Sequence, residues 1–435
     1  MDNVAIGFLG LGAGIVLLLL RVQIGVALGL VSFVGIAILL NMRAAWGIIT
    51  AIPFNFVGDW NLTAIPMFLL MGFIASEAGL SSGLFRTMRM ALSWLPGGLA
   101  VASVGASAVL AAASGSSVAT SSAFARIATP EMLRYRYDPG LATGVIAAAG
   151  TLGSLIPPSI LMVLYGYLAE VSVAQLFAAG VMPGILTALA FTLMIVLRVM
   201  RRPALAPKVE SGFSRAEFLS AVSDTWALPV IILGVLLGIF LAVFTPTEAG
   251  AVGAALAIAV AALKGSLTWK VLGSGFRQTL ISTASIFMVV IGTSLLARFM
   301  ALSGVPTYAA DVFIAWGSSP LMVILAVSLL YLILGCFLDS IGILLLTMPI
   351  ILPMAREAGL DLVWFGIILV KLLEIGLLTP PVGLNVYIIK GALGDRVSLT
   401  TIFRGVAWFV VVDLFVLVFL ALVPGFTLWL PGLME

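Results

Sequence analysis

Gly376-Leu-Leu-Thr-Pro-Pro-Val-Gly-Leu-Asn385 lies inside apolar sequence long enough to cross a bilayer, and it holds two consecutive prolines. Proline has no amide proton and its ring clashes with the preceding turn, so a proline pair breaks a helix. A break at membrane depth frees carbonyls from their intrahelical partners. Such backbone is tolerated only where protein buries it or where it lines a polar cavity. An earlier stretch, Gly153-Ser-Leu-Ile-Pro-Pro-Ser159, has the same character. Two breaks at matching places in the two halves of a chain point to the ion and substrate site of a transporter.

The match has a fixed register. The displacement that carries Pro157 onto Pro380 also carries Gly153 onto Gly376, Asp138 onto Asp361, Pro130 onto Pro353 and Ser117 onto Ser340, without a gap. Most other positions differ, so what repeats is punctuation: Ser at a first break, Pro at a helix end, Asp in a connection, then Gly and Pro-Pro at a second break. Trp94 and Trp316 fall one residue off this register. The chain therefore reads as two homologous halves joined near Arg198–Asp224.

Composition sets the class. Of 435 residues, 62% are hydrophobic and 9% charged, against a charged share of roughly 25% in soluble domains. The expectation is an all-α polytopic membrane protein with about a dozen spans and short re-entrant pieces. The absence of histidine and the single Cys336 remove imidazole or thiolate metal sites, Ser-His-Asp and Cys-His catalysis, and any intrachain disulfide. No phosphate-binding Gly-x-x-x-x-Gly-Lys-Ser/Thr loop occurs, which argues against a primary pump. A channel would need a filter repeat or pore-lining ring, and none is visible. The net charge of +3 comes mostly from loop Lys and Arg beside spans, so it reports topology rather than affinity for nucleic acid.

Along the chain, Val4–Leu20 and Ile24–Leu40 read as retained spans, the first lacking the basic start and cleavage site of a signal peptide. Ala44–Trp60 and the amphipathic Ser81–Gly98 read as interfacial pieces. Residues 1–205 form the expected first repeat, with a re-entrant hairpin near 99–132 and a broken helix over 140–169. Residues 206–225 form a connection placed in the cytoplasm by the basic run Arg198, Arg201, Arg202 and Lys208. Residues 226–435 form the second repeat, with a hairpin near 321–354 and a broken helix over 363–391.

At these residues the chain resembles a known family, the large membrane subunit of TRAP (tripartite ATP-independent periplasmic) transporters. The likeness is carried by Ser114-Gly-Ser-Ser-Val-Ala-Thr120, Gly153-Ser-Leu-Ile-Pro-Pro-Ser-Ile160 and Leu176-Phe-Ala-Ala-Gly-Val-Met-Pro-Gly184 in the first half. In the second half it is carried by Phe244-Thr-Pro-Thr-Glu-Ala-Gly250, Phe337-Leu-Asp-Ser340 and Glu374-Ile-Gly-Leu-Leu-Thr-Pro-Pro-Val-Gly-Leu-Asn385. The resemblance implies two inverted-topology repeats, an elevator-type carrier, and sodium-coupled uptake of an organic acid such as a C4-dicarboxylate or sialic acid. It implies a small membrane subunit and a periplasmic substrate-binding protein as partners. It also implies a multi-pass location in a bacterial or archaeal cytoplasmic (inner) membrane, in contact with lipid. A binding-protein-independent sodium/carboxylate symporter of related fold is the alternative. Arg126 and Tyr135-Arg-Tyr137 depart from the family's usual residues there.

Two or more sodium ions are the expected cofactors, with no organic cofactor. Sodium is a hard cation that oxygen ligates, and unwound carbonyls with Ser or Thr hydroxyls supply oxygen without full charge. The expected first sodium cluster joins Ser116 and Ser117 to Gly153, Ile156 and Pro158. The second joins Gly335 and Asp339 to Gly376, Thr379 and Pro381. The expected substrate contacts are Ser114, Ser117, Ser340 and Asn385, since helix starts beyond a break favour a carboxylate. Arg126 is a further candidate, although a stem reaching towards the interface is the preferred reading. Lys371 and Glu374, three apart on one helix face, read as a mutually neutralising pair. Glu248 reads as a helix cap, and Asp413 as facing another helix.

Overall fold

The computed structural model describes residues 2–80, 82–208, 214–315 and 319–434. Residues 209–213 of the expected connection, and Trp316, lie outside the described residues. Every regular element among them is helical. Seven helices are long and apolar enough to cross a membrane, eight if the bent pair Ala216–Thr225 and Ala227–Phe240 counts as one span, and four shorter apolar helices accompany them. Helices with no polar face must be surrounded by protein or lipid, so the chain is a multi-pass membrane protein.

The first hairpin has arms Gly98–Ser114 and Ser117–Arg134. Gly115 turns the chain at φ 58°, a conformation that costs glycine little and other residues more. At the open end the Tyr137 hydroxyl accepts the Leu99 amide at 3.3 Å, which brings the start of the first arm beside the end of the second. The second hairpin has arms Pro320–Gly335 and Ser340–Glu357. Tyr331 and Thr347 share a hydrogen bond of 2.7 Å between its arms, and these residues stand equally far from Asp339 along the chain.

Both proline pairs interrupt helices. The first broken helix is Pro139–Leu155 with Ile160–Ala169, and the second is Leu362–Gly376 with Leu384–Leu393. The Asp repeated in the two connections has a local reason: Asp138 accepts the Leu141 amide at 2.9 Å and Asp361 the Trp364 amide at 2.8 Å. Each carboxylate caps the helix that then breaks. The two broken helices lie side by side and antiparallel. Tyr165, late in the first, donates to the carbonyl of Leu362 at the start of the second (2.6 Å). Asn385, after the second break, donates to Ala147 before the first (3.1 Å).

The flanks differ in places from the sequence expectation. Within residues 226–435, Trp269–Ser303 is one helix of 35 residues. At 1.5 Å per residue it is about 52 Å long, well beyond a hydrocarbon core of about 30 Å. The last apolar stretch is divided into Leu399–Leu422 and Pro424–Leu428, since Pro424 cannot continue the helix. Ala44–Trp60 forms a helix, Met42–Val57, with Pro53 inside it. A second, smaller apolar core joins the first three helices to the end of Trp269–Ser303, through residues such as Leu28, Ile36, Leu296 and Phe299.

Candidate functional site

The tip of the first hairpin meets the first broken helix at its break. Ser117 shares a hydrogen bond of 2.6 Å with Ser154 and donates to the Thr151 carbonyl at 3.3 Å. The Ile160 amide, first in the helix after Pro157-Pro158, reaches the Gly115 carbonyl at 3.5 Å. Ser116 accepts the Ala119 amide, and the Thr120 hydroxyl bonds both Ser114 (2.9 Å) and the Ser116 carbonyl (3.0 Å). A Cβ on Gly153 would fall 2.7 Å from the Ser116 carbonyl carbon and oxygen, so only glycine lets the two backbones touch. Ser116, Ser117, Gly153, Ile156 and Pro158 thus stand around one junction of oxygen-bearing backbone and hydroxyls. Sequence reasoning missed Thr151 and Ser154, because their position one turn before the break becomes informative only once the tip is docked there.

The second junction has the same parts. Gly335 and Gly376 meet backbone to backbone; a Cβ on Gly335 would fall 2.6 Å from the Gly376 Cα. The Val382 amide donates to the Cys336 carbonyl at 3.2 Å. Asp339 accepts the Gly342 amide at 3.1 Å as the cap of the returning arm. The Thr379 hydroxyl is taken up by the Ile375 carbonyl at 2.6 Å, and Ser340 keeps a buried hydroxyl without a partner among the described residues. Pro381 is exposed here while Pro158 is buried, so the two junctions differ in access although they match in construction.

A mainly apolar cavity of about 620 Å³ with several polar side chains in its lining opens beside the first tip, within the size range of small-molecule sites. Ser114, Ser116, Ser122 and Arg126 line one side, Glu77, Gln278, Ser282 and Ser285 the other, and Ile341 of the second hairpin closes part of it. Arg126, itself exposed, is among the residues that line this cavity, on the same side of its arm as Ser122, one turn before. Glu77 accepts the Gln278 amide at 2.7 Å, and Arg126 is the one cation among the lining residues. Of the expected substrate contacts, Ser114 and Arg126 line the cavity and Ser117, Ser340 and Asn385 do not. Asn385 is buried against Ala147 with its carbonyl oxygen unpartnered among the described residues.

Lys371 and Glu374 do pair, at 3.0 Å, but Lys371 also binds Asp413 at 2.6 Å and Thr187 at 3.3 Å. All three charged side chains are fully buried, and the Phe191 ring lies 5.9 Å from the ammonium. Asp413 faces another helix as expected, but the sequence did not show that the i,i+3 pair is what it meets there. Glu248 caps its helix as expected, in a reciprocal box with Thr245 (2.8 and 3.3 Å).

With this geometry in hand, residues 11–426 match the family described as "Tripartite ATP-independent periplasmic transporter, DctM component". The chain belongs to that family. It is 35% identical to the C4-dicarboxylate TRAP transporter large permease protein DctM of Pseudomonas aeruginosa, over 86% of each chain. It is 32% identical to the sialic acid TRAP transporter large permease protein SiaM of Vibrio cholerae, over 87% of each. Among solved structures, the YdaH transporter of Alcanivorax borkumensis shares the fold with a TM-score of 0.63 and 16% identity, over 89% of this chain and 90% of that one. This TRAP family member is a transport protein and not an enzyme.

Proposed function

We propose that this TRAP large subunit carries an organic acid across a bacterial or archaeal inner membrane by sodium-coupled symport, with an elevator movement of the hairpins and broken helices. The observation that carries the reading is the cavity beside the first hairpin tip, with Arg126 its one lining cation. A guanidinium offers a planar fork of donors matched to a carboxylate. The names of the relatives fit an acid of the C4-dicarboxylate or sialic acid kind. Ser114 and the Ser116 carbonyl region supply neutral polar contacts beside the charge.

Two sodium sites fit the two junctions, where hydroxyls and carbonyls converge on glycines that admit close backbone approach. Ser116, Ser117, Gly153, Ile156 and Pro158 would serve one, and Gly335, Asp339, Gly376, Thr379 and Pro381 the other. The antiparallel course of the broken helices supports inverted-topology repeats whose hairpins enter from opposite faces. Residues 1–205 and 226–435 are the natural halves on this reading, joined by a cytoplasmic segment over 206–225. The small membrane subunit and a periplasmic binding protein that delivers the acid are the expected partners.

The test is uptake into proteoliposomes containing the large and small subunits, with a binding protein preloaded with C4-dicarboxylate or sialic acid outside. Accumulation that needs an inward sodium gradient, and that fails when potassium replaces sodium, is the expected result. Equal uptake in either salt would reject the coupling. Uptake of free acid at the same rate without any binding protein would favour the simpler symporter.

A further inference from the structure

A groove of about 590 Å³ runs between Val173–Arg201 and Leu399–Leu422 on the outer surface of the bundle, well away from the hairpin tips. Its walls are apolar along their length, with Leu186, Leu193, Val412 and Phe415 among them. One end differs: Arg198, Arg201 and Arg202 cluster there, and no carboxylate lines the groove. The Arg198 guanidinium lies 5.1 Å from the centre of the Trp408 ring, stacked over it. Its Nη1 is buried without a hydrogen-bond partner among the described residues.

We propose that this groove binds an anionic phospholipid, with its phosphate on the three arginines and its acyl chains along the apolar walls. Dimensions support this occupant. From Leu186 to Leu197 the helix rises about 16 Å, close to the roughly 15 Å of one leaflet's hydrocarbon. The arginines therefore stand where headgroups stand when the chains fill the groove. A buried guanidinium nitrogen without a partner is costly, and a phosphate oxygen supplies the acceptor in the bidentate geometry that arginine suits. The Trp408 ring beneath the guanidinium helps to hold it in place. The charge selects an anionic headgroup, since a zwitterionic lipid adds its own cation beside three others. The basic end is also the one that the positive-inside rule assigns to the cytoplasm, where attraction to anionic lipid is strongest.

The test uses the two-subunit complex, washed with delipidating detergent in steps, with the retained lipids measured by mass spectrometry. Wild type is expected to keep phosphatidylglycerol after phosphatidylethanolamine has been stripped. The double variant R198Q/R201Q should retain at least about ten-fold less phosphatidylglycerol, the loss expected for charge-assisted contacts, with phosphatidylethanolamine unchanged. Leu193→Trp should do the same by filling the groove with every charge intact, which guards against a double variant that fails to fold. Parallel loss of both lipids from wild type, or full phosphatidylglycerol retention by Leu193→Trp, would overturn the proposal. So would efficient cross-linking of a cysteine at Leu193 to the small subunit, because a protein helix would then be the occupant.

Discussion

On the proposed reading, Arg126 is the residue that meets the charge of the substrate. It lines a cavity with no second cation in the lining, so Arg126→Gln removes the only full positive charge available to a carboxylate there. A charge-assisted contact is worth about 1.5–3 kcal/mol, or one to two decades in affinity. Uptake kinetics should show KM for the acid rising about ten-fold or more with little change in protein yield. The buried group around Lys371 makes a different kind of prediction, about stability. One ammonium serves two carboxylates, so Lys371→Met strands both, at a cost of about 3–5 kcal/mol. Glu374→Gln leaves Lys371 with Asp413 as a balanced pair and should cost clearly less. Thermal unfolding of the purified complex in detergent should order them wild type, Glu374→Gln, Lys371→Met. Sequence showed the first two members because helical spacing is local. Asp413 joins them only through packing between Leu362–Gly376 and Leu399–Leu422, which no local pattern encodes.

Each hairpin is a tip held by two arms and docked on a break. Within the second, Tyr331→Phe deletes the hydrogen bond between arms while Thr347 keeps its bond to the Ile343 carbonyl at 2.8 Å. A loss near 1 kcal/mol is expected, read as faster hydrogen exchange of the amides around Ser340 and unchanged exchange in the first hairpin. The hairpins and broken helices were legible in the sequence because proline, glycine and serine mark their ends regardless of tertiary context. Their ends fell within a few residues of the expected ones, since caps such as Asp138 and Asp361 are local too. The length of Trp269–Ser303 was not legible. Its polar beginning, with Lys270 and Arg277, reads as a connection, yet tertiary packing along Ala64–Glu77 keeps it helical.

For the molecule as a whole, the two junctions and the cavity form one proposed machine, in which ions held at the helix breaks fix the tips beside the substrate. The fold and family follow from the chain's pattern and its relatives; the proposed ion sites rest on the geometry of the two junctions. Glycine contacts give the sharpest structural lever. Gly335→Val places a branched side chain into the Gly376 backbone and should abolish transport with the complex still assembled, as gel filtration would report. The most direct measurement is sodium binding to the purified two-subunit complex by isothermal titration, in wild type and in Ser117→Ala/Thr379→Ala. The account predicts saturable sodium binding that potassium does not reproduce, with affinity lowered at least about ten-fold in the double variant. Unchanged sodium affinity in a folded double variant, or no sodium binding by wild type, would contradict it.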